Sequence, residues 1–265
     1  MFLEAVTVSV NYGDFLAWTI KENRHHFGYN KWGQSNWVIV TDTKDKHTKT
    51  VCDYYNVRCV QTDVFYEDGD VFNKAKGINA GLEVLSCNDW VLHIDADIYL
   101  PPNFKKIIDK YPLDTLCIYG YDRYNCKSFE SFAEFLTYPK LLHEDWVFTH
   151  MNRFEIGTRI VRYNDEGYIP IGFSQLWHPI STGFRKYPTI HGTAARTDML
   201  FAQQWPSSKR RFIPDFVVIH IESEDNEKMG ANWNGRSTPQ FGPKKITNIP
   251  TTTTTHSPIS DGGYL

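Results

Sequence analysis

Trp90-Val91-Leu92-His93-Ile94-Asp95-Ala96-Asp97 is the stretch on which the reading of this chain turns. An apolar run of strand-forming residues stops in two carboxylates spaced i, i+2, and Pro101-Pro102 soon forbids a continuing strand. Carboxylates at the carboxyl end of a buried strand are costly to desolvate, and no cation stands beside them in the sequence. A divalent metal satisfies both, with a phosphate-bearing ligand completing its coordination. The position fits as well, because open α/β sheets bind ligands at the carboxyl ends of their strands. An ordinary Asp-rich turn is the competing reading, so the flanking sequence has to separate the two.

Outward from this stretch, residues 1–120 alternate between short β-rich runs and amphipathic segments. Strands are expected at Ala5-Val10, Trp37-Thr41, Val57-Gln61, Trp90-Ile94 and Thr115-Tyr119. Helices are expected between them at Asp14-His26, Lys44-Tyr55 and Phe72-Leu85, and then at Asn103-Lys110. That rhythm predicts βαβ units with right-handed crossovers, a mainly parallel sheet and strand ends gathered on one edge. Beyond it the pattern predicts a helix at Ser128-Leu136 and short strands near Arg159-Tyr163 and Ile169-Gln175. A second helix at Thr197-Gln204 and a strand at Phe216-Ile221 follow. After Met229 the chain turns to Gly, Asn, Pro and Thr, a composition that buries too little apolar surface to order itself, so residues 229–265 read as a flexible tail.

A chain of 265 residues suits one large domain or a domain with a modest extension, and its 41% hydrophobic content is ample for a core. The net charge of -3 gives no global attraction to nucleic acid or to a membrane surface. The 8 Trp and 15 Tyr suit stacking on sugars or bases, and plain packing equally well. Five cysteines without CxxC spacing argue against a zinc site and a disulfide framework. They fit a reducing, cytoplasmic setting. The first strand begins almost at once, leaving no room for a signal peptide, and no apolar run reaches the roughly 20 residues that span a bilayer.

Phe72-Asn73-Lys74-Ala75-Lys76-Gly77-Ile78-Asn79-Ala80-Gly81-Leu82, followed by His93-Ile94-Asp95-Ala96-Asp97, resembles family 2-type glycosyltransferases of the GT-A fold. The resemblance covers about Val6 to Glu222 and is strongest between Phe72 and Phe104. A lone Asp-x-Asp is weak; an Asn-Lys…Asn-Ala-Gly-Leu helix just before an apolar strand that ends in Asp-x-Asp is far more specific. It implies a three-layer α/β/α sandwich over residues 1–228, divided into a nucleotide-sugar-binding half (1–120) and an acceptor or catalytic half (121–228). It also implies a nucleotide-diphosphate sugar donor, UDP-linked by preference, lying across the sheet edge.

The resemblance assigns residues. Asp97, with Asp95 beside it, would hold Mn2+ or Mg2+ against the diphosphate, and His220 would be a further ligand. Asp42 closes the second strand where related enzymes contact base or ribose, and it reads equally well as a helix cap. Asn11 and Tyr12 follow the first strand, where the nucleobase lies in this fold. Lys74 could meet a phosphate or a ribose hydroxyl, and Asn79 lies further along the same helix, as donor contact or packing group. Asp198, at a helix start, corresponds to the general base of inverting members, although the acidic pair many of them carry is absent here. Independently of the resemblance, Gln175 and Trp177 read as an acceptor-side wall, by hydrogen bonding and by stacking. His191 is a weaker rival to His220, and the cluster Lys209-Arg210-Arg211 could attract an anion.

The expected activity is metal-dependent, inverting transfer of the donor sugar to a hydroxyl on a glycan, lipid-linked sugar, protein or modified base. A nucleotidyltransferase is the first rival, but Asn11-Tyr12-Gly13-Asp14 lacks the Gly-rich, basic signature that meets a triphosphate. A binding module that kept the fold and lost turnover is the second.

Overall fold

The structure, a computed structural model, describes residues 1–30, 33–126, 129–137, 163–164, 167–190 and 192–221. Four strands open the chain: β1 (Leu3–Val8), β2 (Ser35–Thr41), β3 (Val57–Gln61) and β4 (Trp90–Ile94). Helices α1 (Gly13–Asn23), α2 (Lys46–Tyr54) and α3 (Lys74–Leu82) connect them. The strands pair in parallel in the order β3-β2-β1-β4. Strand order therefore reverses at β1, and the crevice beyond the carboxyl ends of β1 and β4 is the place where such sheets bind ligands.

Two helices start later than the sequence pattern suggests, for a local reason. Asp45, not Asp42, caps α2, its carboxylate accepting from the Thr48 amide at 3.0 Å and the Thr48 hydroxyl at 2.7 Å. Asn73 caps α3 by accepting from the Lys76 amide at 3.1 Å. These caps end the approaching loops at Asp45 and Asn73, so the expected starts at Lys44 and Phe72 fall outside the helices.

The chain continues through β5 (Ile98–Tyr99), α4 (Phe104–Lys110), β6 (Ile118–Cys126), α5 (Phe129–Leu136), β7 (Tyr163–Asn164) and β8 (Gly167–Tyr168). Then come β9 (Ser174–Trp177), α6 (Pro179–Thr182), α7 (Thr197–Ala202) and β10 (Arg210–Ile221). The main sheet has eight strands in the order β3-β2-β1-β4-β9-β6-β10-β5, while β7 and β8 form a separate ladder. β9 runs against β4 and β6, and β5 against β10, so the sheet is mixed with a parallel majority.

The strand expected from Thr115 starts only at Ile118, because a turn on Asp114 takes the Leu116 amide on its carboxylate and the Cys117 amide on its carbonyl. The strand expected from Ile169 is reduced to β9, after a turn in which the Ser174 amide reaches the Ile171 carbonyl at 3.2 Å. β10 begins six residues before the expected Phe216. The strand expected at Arg159-Tyr163 lies outside the described residues except for its last position, and so do the whole of the 229–265 tail and His191.

Side chains alternate between two cores. Leu3, Ala5, Trp37, Ile39, Trp90, Leu92 and Ile94 pack with Leu16 and Ile20 of α1, Val51 of α2 and Phe104 of α4. Val6, Val8, Val38, Val40 and Val91 pack on the other face with Ile78 of α3 and Phe201 of α7. The period of two along each strand thus builds the three layers. β5 follows β4 after only Asp95-Ala96-Asp97, yet it pairs with β10 at the opposite end of the strand order. The sheet therefore curls back on itself, and the Asp-x-Asp turn links the interior strand β4 to the edge strand β5.

Candidate active site

The curl delivers the acidic pair to two different environments. On one side, the β5–β10 ladder sets His220 against Ile98, and the Ile221 amide donates to the Asp97 carbonyl at 2.9 Å. That register leaves His220 Nε2 3.3 Å from Asp97 Oδ2. Asp97 Oδ1 is buried with no hydrogen-bond partner among the described residues. An unpartnered buried carboxylate oxygen is costly, which is what a cation-binding group looks like without its cation. Burial works against ionisation of Asp97, but His220, with Arg123 and Lys74 behind it, holds the carboxyl below the usual range.

On the other side, Asp95 is half-buried and ion-paired through Oδ1 with Lys74, the first residue of α3. Burial raises its carboxyl above the ordinary range, against the pull of the Lys74 ammonium. Lys74 Nζ also lies 3.4 Å from the Gly172 carbonyl, so it ties α3, the Asp-x-Asp turn and the loop before β9 together. His93 Nε2 sits 3.5 Å from Asp95 Oδ1. Burial, with Lys74 adding, holds that imidazole well below its usual pKa, so it is neutral. His93 is not among the residues that the sequence pattern singles out, and its i, i+2 spacing from Asp95 is the signal that marks it.

Asp198 lies in the first turn of α7 and is half-buried. An ideal Cβ built on Gly172 falls 2.9 Å from the Cβ, Cγ and Oδ2 of Asp198, so the carboxylate rests against the same loop that Lys74 reaches. No hydrogen bond or ion pair engages that carboxylate among the described residues. Tyr187 is pushed well up by burial first and then by the negative charges of Asp198 and Asp95, which flank it. Asp95, Asp97, Lys74, Asp198 and His220 thus come to one locality from four places: the turn after β4, α3, α7 and β10.

The nucleoside candidates cluster at the ends of β1 and β2. Asn11 takes a left-handed backbone (φ 58°), and its amide donates to Asp45 Oδ2 at 2.8 Å. Tyr12 precedes α1 and packs on Phe15 with centroids 5.1 Å apart. Asp42 is buried and accepts the Lys44 amide at 2.8 Å; burial raises its carboxyl, against that hydrogen bond. It is a turn former, and the cap of α2 is its neighbour Asp45.

Three expectations are corrected. Gln175 and Trp177 do not form an exposed wall: both are fully buried. The Trp177 indole donates to the Phe184 carbonyl at 3.0 Å, and Gln175 is bonded to Pro170, Asp198 and Tyr187, because β9 is an interior strand covered on both faces. Asn79 does not face the crevice freely: its carboxamide accepts the Tyr187 amide at 2.7 Å and donates to the Tyr187 carbonyl at 2.9 Å. The cluster Lys209-Arg210-Arg211 starts β10, at the sheet end opposite His220, where Lys209 pairs with Asp114 and Arg210 donates to the Trp205 carbonyl.

Among the described residues no group of three or more His, Cys, Asp or Glu side chains converges as a metal site. One carboxylate and one imidazole meet at Asp97, and that pair fits a cation whose remaining ligands arrive with a diphosphate and water. No described helix is long and apolar enough to cross a membrane.

No protein-family model and no curated protein sequence matches this chain. Solved structures do. A crystal structure of S. aureus TarS 1-349 in complex with UDP-GlcNAc aligns with a TM-score of 0.54 at 13% identity, over 90% of this chain and 62% of that one. The same protein in complex with UDP gives 0.52 at 12% identity, over 85% and 62%. A further TarS 1-349 structure gives 0.52 at 11%, over 84% and 60%. The chain spans about three fifths of the length of these neighbours. The fold is the GT-A type of nucleotide-sugar glycosyltransferases.

Proposed function

We propose that this chain transfers a sugar from a nucleotide-diphosphate donor, UDP-linked by preference, to a hydroxyl acceptor with inversion at the anomeric carbon. The observation that carries the proposal is the buried, unpartnered Asp97 Oδ1 beside His220, at the reversal of strand order and in the same locality as the half-buried Asp198. The likeness to TarS, solved with UDP and with UDP-GlcNAc, supports it. Five free cysteines support a reducing, cytoplasmic location.

Asp97 and His220, with Asp95 near, would hold Mn2+ or Mg2+, which when bound neutralises charge on the departing diphosphate. Lys74, paired with Asp95, adds a fixed cation at that edge, and the pair would face the ribose and phosphates of a bound donor. Asn11, Tyr12 and Asp42 line the nucleoside side. Asp198 accepts the proton of the acceptor hydroxyl as that oxygen bonds to the anomeric carbon, and the bond from that carbon to the diphosphate oxygen breaks. The products are the glycosylated acceptor, a nucleoside diphosphate and the protonated carboxyl.

The test is release of nucleoside diphosphate from a panel of UDP- and GDP-sugars, with Mn2+ and with EDTA. Metal-dependent release is expected, and Asp97→Ala should lower it at least about 100-fold. Release that survives both EDTA and Asp97→Ala would overturn the metal assignment. Pyrophosphate formed from a nucleoside triphosphate and a sugar phosphate would instead mark a nucleotidyltransferase. Asp198→Asn should bind UDP normally and lose about 10²- to 10⁴-fold in kcat; a fully active variant removes Asp198 from the reaction.

A further inference from the structure

Gln175 is fully buried in β9 and has every polar group engaged. Its amide nitrogen donates to the Pro170 carbonyl at 2.9 Å and to the Asp198 carbonyl at 2.9 Å, and its oxygen accepts from the Tyr187 hydroxyl at 2.7 Å. A carboxamide has two N–H donors, and here they go to two different segments. One is the loop that reaches Gly172 two residues after Pro170; the other is the first turn of α7. Those are the segments that touch where Asp198 rests on Gly172. Gln175 itself stands opposite His93 in the β4–β9 ladder, so it is in register with the strand that leads into the Asp95–Asp97 turn.

α7 is held in the core by Phe201 between Trp177 and Trp205, but no side-chain capping bond orients its first turn. It is six residues long, and its N-cap residue Arg196 is left-handed and makes no side-chain cap bond. The second attachment runs through Tyr187, whose ring stacks on Phe201 of α7 with centroids 3.7 Å apart and planes within 11°. Tyr187 is in turn fixed to α3 through both polar groups of Asn79.

We infer that Gln175, oriented by Tyr187, is the positioning residue for the Asp198 carboxylate. It sets that group's distance from the Asp95–Asp97 turn without touching substrate. The inference rests on the reading of Asp198 as the base. A buried amide suits the task because its donor geometry is directional, and displacement of a reacting group by about 1 Å can cost about 100-fold in rate. An apolar residue of the same volume would fill the space and leave α7 free to shift.

The experiment uses Tyr187→Phe, which removes one hydroxyl, and Gln175→Met, which keeps the volume and removes all three bonds. Both are compared with Asp198→Asn, using the UDP- or GDP-sugar in the panel that turns over with Mn2+. The expected result is unchanged UDP affinity and KM with kcat lowered about 10-fold for Tyr187→Phe and about 100-fold for Gln175→Met. Gln175→Met combined with Asp198→Asn should be no slower than Asp198→Asn alone, because positioning has no meaning without the carboxylate. Crystal structures of both single variants should show Asp198 moved off Gly172. Full kcat in both, or Asp198 unmoved in both structures, overturns the positioning role while leaving the base assignment intact. An active Asp198→Asn, or no donor turned over, overturns the proposed function instead. If Gln175→Met does not fold, Tyr187→Phe alone decides.

Discussion

Gly172 is where one hydrogen atom in place of a methyl decides where the Asp198 carboxylate can rest. Asp198 Cβ, Cγ and Oδ2 all lie 2.9 Å from the position a Cβ would take there, so an alanine has to displace the whole carboxylate and not only its tip. Gly172→Ala should therefore fold normally and bind UDP, yet lose about 10- to 100-fold in kcat; unchanged turnover would show that Asp198 need not lie where it does. Nothing local in the sequence marks Gly172, since its need arises from a residue in another element. His26 gives a residue-scale prediction away from the site. Burial beside Phe104, with the positive charges of His25 and Lys105 adding and a hydrogen bond to the Leu100 main chain opposing, pushes His26 down to about 4. Between the ordinary value of 6.5 and about 4 the unfolded chain binds a proton that the folded chain refuses. Stability from this group is complete above pH 6.5 and is lost as pH falls toward 4, by at most about 3 kcal/mol. Urea unfolding at successive pH values should show that slope, and His26→Gln should flatten it relative to the wild type; equal slopes would refute the buried neutral state.

α3 shows how an element is placed by what it lacks. A Cβ on Gly81 would meet Val6 and, at 2.7 Å, Val40 Cγ2; one on Gly77 would meet Phe65 and, at 3.0 Å, Val8 Cγ2. The two glycines let the helix lie directly on β1 and β2, and that close approach holds Lys74 at the Asp95 carboxylate. Alanine is the better helix former by up to about 1 kcal/mol, while overpacking costs about 1–3 kcal/mol. The second effect wins: Gly81→Ala should lower unfolding free energy by about 1–2 kcal/mol, measured by urea titration, and a stabilised variant would show that the contact relaxes freely. The Asn-Ala-Gly-Leu pattern was legible as a motif in the sequence, but its physical reason, the valines under Gly81, was not. α2 and α3 start two residues beyond the sequence pattern because Asp45 and Asn73 make the caps, and at α2 the bond to Thr48 is what distinguishes Asp45 from Asp42.

For the whole molecule, the curl of the sheet makes the proposed metal site and the folded state one thermodynamic unit. Asp97 sits on the turn after β4 and His220 on β10, strands separated by two others in the sheet, so a cation with UDP would bind the curled form and not an opened one. UDP with Mn2+ at about 100 times Kd should add about 2.7 kcal/mol and raise Tm by about 5 to 10 °C. EDTA and Asp97→Ala should each abolish the rise; a shift from UDP alone, equal in Asp97→Ala, would detach nucleotide binding from this pair. By itself the sequence determined the βαβ half of the fold, the Asp-x-Asp turn at a strand end and the place of Lys74 in the helix before that strand. Those properties follow from periodicity, capping and chain stiffness, which act over a few residues. Only the tertiary structure decided that β5 pairs with β10, that His220 faces Asp97, that Asp198 rests on Gly172, and that Gln175 and Trp177 lie inside. Each of these joins residues far apart in the chain, and such contacts are chosen by the closing of the sheet and the packing of its two faces.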